Sequence, residues 1–348
     1  MNLKQAYCNF SKTCLIPPDN YREDIDISET NFTSAFIKVK GIGSLFIFYN
    51  WSRFFRNLFL FCSLVCTLVG TSASAHPGSG IVVDKYGQIF FTDTGKGVWK
   101  IDKQGKLTCI PASLFHWMAI DEVGYFAESQ KNFGEWFERV TPQSSKPTLI
   151  ISSDFPLTVN RDGNIYYADT RHSSARIVRR TPDGKESVLA SGKMFQYISG
   201  IAAGPDGSLY VTDASRVDAN TILKITMDGT VSIFASLVGK DVGNDLPLGT
   251  VPSYCRGLAI DSQGFVYVAA TGSRSVLKIT PQGKVSTILL APSPWSPTGI
   301  AVFQGEVYVL EWHDVDSLHM EVRSAWIPRI RKVGRDGKIT TLANFRGK

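Results

Sequence analysis

A glycine-centred turn between two short apolar runs recurs six times along this chain, and that recurrence restricts the fold more than any other feature of the sequence. It is plainest in residues 198–235, ISGIAAGPDGSLYVTDASRVDANTILKITMDGTVSIFA. Four runs of strand length lie there, paired across the turns at Gly207 and Gly229. Asp-Gly between alternating apolar runs predicts hairpins, because glycine takes the positive φ that tight turns need. A polar link, residues 213–221, joins the two hairpins, so the stretch predicts a four-stranded antiparallel meander. Such a unit has two sheet faces to cover and does not form a stable domain by itself.

The same template fits GIVVDKYGQIFFTD from Gly80, WMAIDEVGYFAES from Trp117, PLTVNRDGNIYYADT from Pro156, GLAIDSQGFVYVAAT from Gly257 and GIAVFQGEVYVLE from Gly299. The first-turn glycines are Gly87, Gly124, Gly163, Gly207, Gly264 and Gly305, spaced by 37, 39, 44, 57 and 41 residues. Every copy except the second also has a second glycine turn, at Gly105, Gly184, Gly229, Gly283 and Gly337. A period near 40 with four strands per unit is the signature of a β-propeller blade. The prediction is therefore an all-β, six-bladed propeller of four-stranded antiparallel blades over residues 76–348. Blade six has its own outer strand, so no strand exchanged between the chain ends latches the ring, and closure depends on packing of blade one against blade six.

Residues 51–75 read as an export signal. Arg53 and Arg56 precede an apolar run over residues 58–69, followed by Ala73-Ser74-Ala75, a small-residue cleavage site that makes His76 the mature N-terminus. The run is short for a membrane span. A secreted or periplasmic protein follows; the alternative is an anchor formed by uncleaved residues 46–69. Residues 1–50 precede the charged flank by more than a signal peptide normally allows. They are either a mis-assigned start or a disordered leader.

Export changes the reading of the cysteines. Of six, Cys8, Cys14, Cys62 and Cys66 leave with the leader, and Cys109 and Cys255 fall on an outermost and an innermost strand, too far apart to bond. The formal charge of +6 includes seven basic and five acidic residues before His76, which leaves the mature chain near +4. That mild excess points to no nucleic-acid partner. A monomer without a stable membrane span after cleavage is expected.

In a meander of this kind the two tight turns lie at one end, and the long inter-strand links and blade crossovers lie at the other. The long segments here are residues 94–97, 129–134, 170–175, 214–221, 271–275 and 312–328, with the crossover 236–254. Function concentrates where loops vary on a rigid scaffold, so a small molecule or a protein is expected on this loop face, over the channel mouth. The innermost strands begin with Ser79, His116, Phe155, Ser199, Arg256 and Thr298. In a six-fold ring His116 and Arg256 face each other. His116 is either a metal ligand or general base, or a hydrogen-bonding channel residue. Arg256 either binds a carboxylate or phosphate or neutralises backbone carbonyls.

Carboxylates close the second strand of most copies, as Asp93, Glu128, Asp169, Asp213 and Glu311. Repetition argues for a structural job, accepting hydrogen bonds from loop backbone. Arg171 and His172, and Glu311, Trp312 and His313, repeat less and are candidate ligand contacts. The segment 312–328 is either an inward lid or a latch on blade one. Asp314, Asp316 and Glu321 offer hard oxygen ligands but lack the glycine-spaced order of a calcium loop, so ligand spacing supports no particular cofactor. No HExxH, phosphate-cradling glycine loop, GxSxG or mature CxxC is present.

The repeat GIAxDxxGxxYVTDxxxxxIxKITxDGxVxxFA, with the crossover residues Gly239, Gly243, Asn244, Asp245 and Pro247 ahead of Arg256, resembles the NHL repeat, a six-bladed propeller family related to the gluconolactonase-like superfamily. The resemblance covers essentially residues 76–348. It implies the fold, but propellers of this kind include binding modules and enzymes. Gluconolactonases hold a divalent metal through Glu, Asn and Asp on inner strands, where this chain has Ser79, Ser199, Arg256 and Thr298. Peptidyl-amidoglycolate lyase uses several inner-strand histidines, and only His116 matches. The expectation is a binding or scaffold module engaging its ligand on the loop face; the alternative is a hydrolase or lyase with a rearranged site at the channel mouth.

Overall fold

The computed structural model describes residues 77–94, 96–112, 115–122, 137–140, 148–152, 155–172, 174–195, 197–213, 221–237, 255–313 and 327–344, and every helix or strand among them is a β-strand. The proposed signal segment, the leader, Glu128, and the carboxylates Asp314, Asp316 and Glu321 lie outside these residues.

Five sheets have the expected meander order. Blade one is β1 (Ile81–Val83), β2 (Ile89–Asp93), β3 (Gly97–Ile101) and β4 (Leu107–Ile110). In second place come β5 (Trp117–Asp121), β6 (Phe137–Val140) and β7 (Thr148–Ser152). Blade three is β8 (Leu157–Val159), β9 (Ile165–Asp169), β10 (Arg176–Arg180) and β11 (Glu186–Ser191). Blade four is β12 (Ile198–Ala203), β13 (Leu209–Asp213), β14 (Thr221–Ile225) and β15 (Val231–Ser236). Blade five is β16 (Cys255–Ile260), β17 (Val266–Ala270), β18 (Ser275–Ile279) and β19 (Val285–Leu290). Blade six is β20 (Trp295–Phe303), β21 (Glu306–His313), β22 (Pro328–Val333) and β23 (Ile339–Asn344).

Six four-stranded blades were expected, and among the described residues five are present. The second sheet has three strands in the order β5-β7-β6. This is the copy whose sequence lacks a second glycine turn. Here β7 pairs with β5 on one side and β6 on the other, and all five of its residues are buried. The run Leu149-Ile150-Ile151 packs on both faces, which an outer strand would leave half exposed. By contrast, the outer strand β15 leaves Ile233 63% exposed.

The turns explain why the other copies are regular. At the first turn of blade one, Asp84 Oδ1 accepts from Tyr86 N (2.9 Å) and Gln88 N (2.8 Å), and Asp261 Oδ1 does the same for Gln263 N (2.9 Å) and Phe265 N (3.0 Å). An Asx side chain that satisfies the turn's own backbone favours the reversal. Three residues after the Asx, glycine supplies the left-handed step, as at Gly264 with φ of 82°.

The core lies between sheets. Blades three and four share Tyr166, Ile177, Ile201 and Val211; blades six and one share Ile81, Phe91, Leu310 and Trp312; comparable clusters fill every other gap. Each fully buried aliphatic or aromatic side chain contributes about 1.5–3 kcal/mol. The innermost strands β1, β5, β8, β12, β16 and β20 touch in sequence and close back on β1. The ring therefore closes through packing, with blade six built wholly from residues 295–344. Cys109 is an exposed thiol and Cys255 a buried one, and neither is bonded.

Close approach of the inner strands requires glycine. A Cβ on Gly200 would lie 2.2 Å from the Arg256 carbonyl oxygen, and one on Gly299 would lie 2.4 Å from that of Ser79. The glycine that opens each inner-strand motif thus sets the narrowness of the channel, while Trp117 and Pro156 hold that place in the second and third sheets.

Candidate functional site

Ser and Thr at the loop-face mouth stitch neighbouring blades together. Ser199 Oγ donates to the Cys255 carbonyl at 2.6 Å, Thr298 Oγ1 to the Gly78 carbonyl at 2.7 Å, and Thr92 Oγ1 to the His116 carbonyl at 3.2 Å. These hydroxyls are committed to backbone. Phe155 is buried against Tyr167, with ring centroids 5.8 Å apart.

His116 and Arg256 meet a common segment. The His116 carbonyl accepts from Ser79 N and Gly80 N, each at 2.8 Å, and Arg256 Nη1 donates to the Pro77 carbonyl at 3.0 Å. Both are half-buried, on either side of residues 77–80. Arg256 thus does satisfy a backbone carbonyl. This bond fixes the guanidinium beside residues 77–80.

On blade three, Asp169 ends β9 directly opposite Arg176, which begins β10. Its carboxylate accepts from Arg171 Nε (2.8 Å) and Nη2 (3.1 Å) and from Arg176 Nε (3.1 Å) and Nη2 (2.9 Å), and from the Arg171 backbone N–H (3.1 Å). Burial alone would raise the Asp169 pKa, but the hydrogen bonds from Arg171 and Arg176 outweigh it and hold the carboxyl well below the usual range. Arg171 leans over the Phe155 ring, 5.4 Å from its centroid, and so stands at the mouth. His172 is exposed, with Nε2 2.5 Å from Arg176 Nη2.

Blade six repeats the arrangement more deeply. Glu311, on β21, stands opposite Arg329 on β22. It accepts from Arg329 Nε at 2.7 Å and from Arg331 Nε at 2.9 Å, with Arg331 Nη2 closing a second contact. Glu311 is fully buried, and both arginines are less than a tenth exposed. Arg329 also stacks on Trp295 at 4.0 Å, whose other neighbour is the His313 ring, edge-on at 5.2 Å. Trp312 faces away from solvent, packing against blade one with Nε1 donating to the Gly78 carbonyl at 3.0 Å. Of the latch and lid readings, the described end of this segment fits the latch; residues 314–326 lie outside the described residues.

The described strand-end carboxylates accept from side chains as well as from backbone. Asp93 takes the Trp99 indole N–H at 3.0 Å, and Asp213 takes the Tyr197 backbone N–H at 3.1 Å. Arg176, Arg329 and Arg331 escaped sequence reasoning, since each lies 7 to 20 residues from its carboxylate. The signal that finds them is antiparallel register, which puts the last residue of one strand against the first of the next.

These commitments bear on a metal. Among the described residues no three His, Cys, Asp or Glu side chains are grouped to hold one. The inner positions carry Ser, Phe, Arg and Thr beside His116, and Asp169 and Glu311 are saturated by arginine. Among the described residues the donor set does not fit a divalent cation at the mouth.

Residues 158–309 match the family model described as SMP-30/Gluconolactonase/LRE-like region. No curated protein sequence is matched. Among solved structures, a luciferin-regenerating enzyme superposes with a TM-score of 0.50 at 16% identity, covering 75% of this chain and 93% of that one. Virginiamycin B lyase from Staphylococcus aureus superposes with a TM-score of 0.47 at 18% identity, covering 80% and 87%. Identities this low speak to the fold alone. The chain is thus a β-propeller whose middle and later blades are similar to the SMP-30/gluconolactonase family.

Proposed function

We propose that the protein is a binding propeller that takes an anionic small molecule over the loop-face mouth. The observation that carries this is a charge imbalance: Asp169 and Glu311 are each outnumbered two to one by guanidiniums at the loop end of their blades. Guanidiniums in excess of carboxylates favour an anion, and the planar fork of arginine suits carboxylate or phosphate. Arg171 and Arg256, from blades three and five, are the groups placed to meet it. Titration of the full chain with citrate and with inorganic phosphate tests the reading. Binding that falls with added salt and with Arg171→Ala or Arg256→Ala supports it; no binding of either anion overturns it.

The match over residues 158–309 and the half-buried His116 favour a second reading, a hydrolase or lyase with a rearranged site. A lactone and ester panel separates the two. Turnover abolished by His116→Ala establishes the enzyme and displaces the binding module.

A further inference from the structure

The opposite end of the ring holds a cavity that the loop face does not explain. It has a volume of about 340 Å³ and lies among the first turns of blades three, four and five, at the tight-turn end of the channel. Small-molecule sites range from about 300 to about 1,000 Å³, so this one suits a ligand of modest size. Its walls are chemically distinct. Blade three contributes Arg161 and Asp162, both exposed. Blade five contributes Asp261 and Ser262. Between them blade four contributes Pro205 and backbone, because the Asp206 carboxylate is drawn to Lys224 Nζ at 2.8 Å.

Asp261 is held rigidly. Its Oδ1 accepts two backbone N–H groups of its turn, and its Oδ2 accepts the Tyr267 hydroxyl at 3.0 Å, leaving lone-pair capacity on Oδ2. Asp162 is steadied by Asn160 Nδ2 at 3.2 Å. A guanidinium on one wall and a fixed carboxylate on the facing wall, with apolar Val159 and Ile260 beside them, make a dipolar slot. Two carboxylates against one guanidinium leave the lining net negative.

We propose that this cavity binds a free amino acid, with its carboxylate on Arg161 and its ammonium on Asp261 and Ser262, and that the excess negative charge favours a basic side chain. The site lies on the other face from the proposed anion site and does not depend on it.

Isothermal titration of the full chain carrying Arg171→Ala and Arg256→Ala, which removes the proposed anion site, with lysine, alanine and glutamate, each alone, tests the assignment. The expected affinity order is lysine, then alanine, then glutamate. Arg161→Ala, at an exposed turn position, weakens lysine binding by about tenfold or more, as loss of a charge-assisted hydrogen bond does, whereas Arg161→Lys restores part of it. Lys106→Ala, at an exposed turn of blade one, leaves lysine affinity unchanged. Absence of binding by all three, tightest binding by glutamate, or an Arg161→Ala affinity equal to that of the parent overturns the proposal.

Discussion

Asp169 and Arg176 stand directly opposite each other in the pairing of β9 with β10, and Arg176 directs both Nε and Nη2 to the single oxygen Oδ2. With Arg171 bridging both oxygens, the carboxyl is held ionised well below its unfolded pKa. A depressed folded pKa contributes stability that is full above the unfolded value and is lost as pH falls below it. The unfolded value for Asp is about 4, so loss begins near there and deepens with acid. Asp169→Asn should flatten the pH dependence of the urea midpoint below about pH 4 while lowering stability at neutrality. An unchanged acid slope would show that Asp169 does not carry it.

Glu311 is the anion for two buried guanidiniums. Removing it as Glu311→Ala leaves both without their shared counter-charge, and the expected loss is about 3–5 kcal/mol. Denaturant unfolding at neutral pH measures it. A loss under about 1 kcal/mol, the level of an exposed pair, would contradict the burial of this network.

Trp312 closes the ring from blade six onto blade one. Trp312→Ala should cost about 3–5 kcal/mol, as large aromatic truncations in cores do. Trp312→Phe keeps most of the packing and loses the indole bond to Gly78, so about 1 kcal/mol is expected. Full stability in the alanine variant would return this residue to the surface.

Gly200 separates two inner strands that nearly touch. Gly200→Ala places a methyl 2.2 Å from the Arg256 carbonyl oxygen, and backbone on both sides must shift. A loss of about 1–3 kcal/mol or more is expected, with altered ligand affinity because Arg256 moves with its strand. At Gly105 a Cβ meets nothing within 4 Å, and only its φ of 78° opposes alanine. Gly105→Ala should therefore leave the loop face untouched. Equal effects at both sites on ligand affinity would contradict the channel contact.

The blades were legible because each regular copy announces its own turns: Asp84 and Asp261 bond their turn backbones, and a glycine follows three residues later. The second sheet was not, because strand order beyond a missing turn is decided by burial of Leu149 to Ile151, a tertiary effect that no local signal carries. His116 and Arg256 were readable as mouth residues from their place before an inner strand. Their convergence on residues 77–80 was not, since it joins a backbone carbonyl of a neighbouring blade to the reach of the Arg256 side chain. The pairing of Glu311 with Arg329 and Arg331 follows from register, but residues 314–326 between the strands break the simple count.

The central claim is that the loop-face mouth binds an anion through Arg171 and Arg256. Calorimetric titration of citrate into the parent chain and into the Arg171→Ala/Arg256→Ala double variant, at two salt concentrations, tests it most directly. The expected result is salt-sensitive binding to the parent that is lost in the double variant, with the variant still unfolding in one cooperative thermal transition. Equal citrate affinity in the two proteins, or none in the parent at low salt, would contradict it.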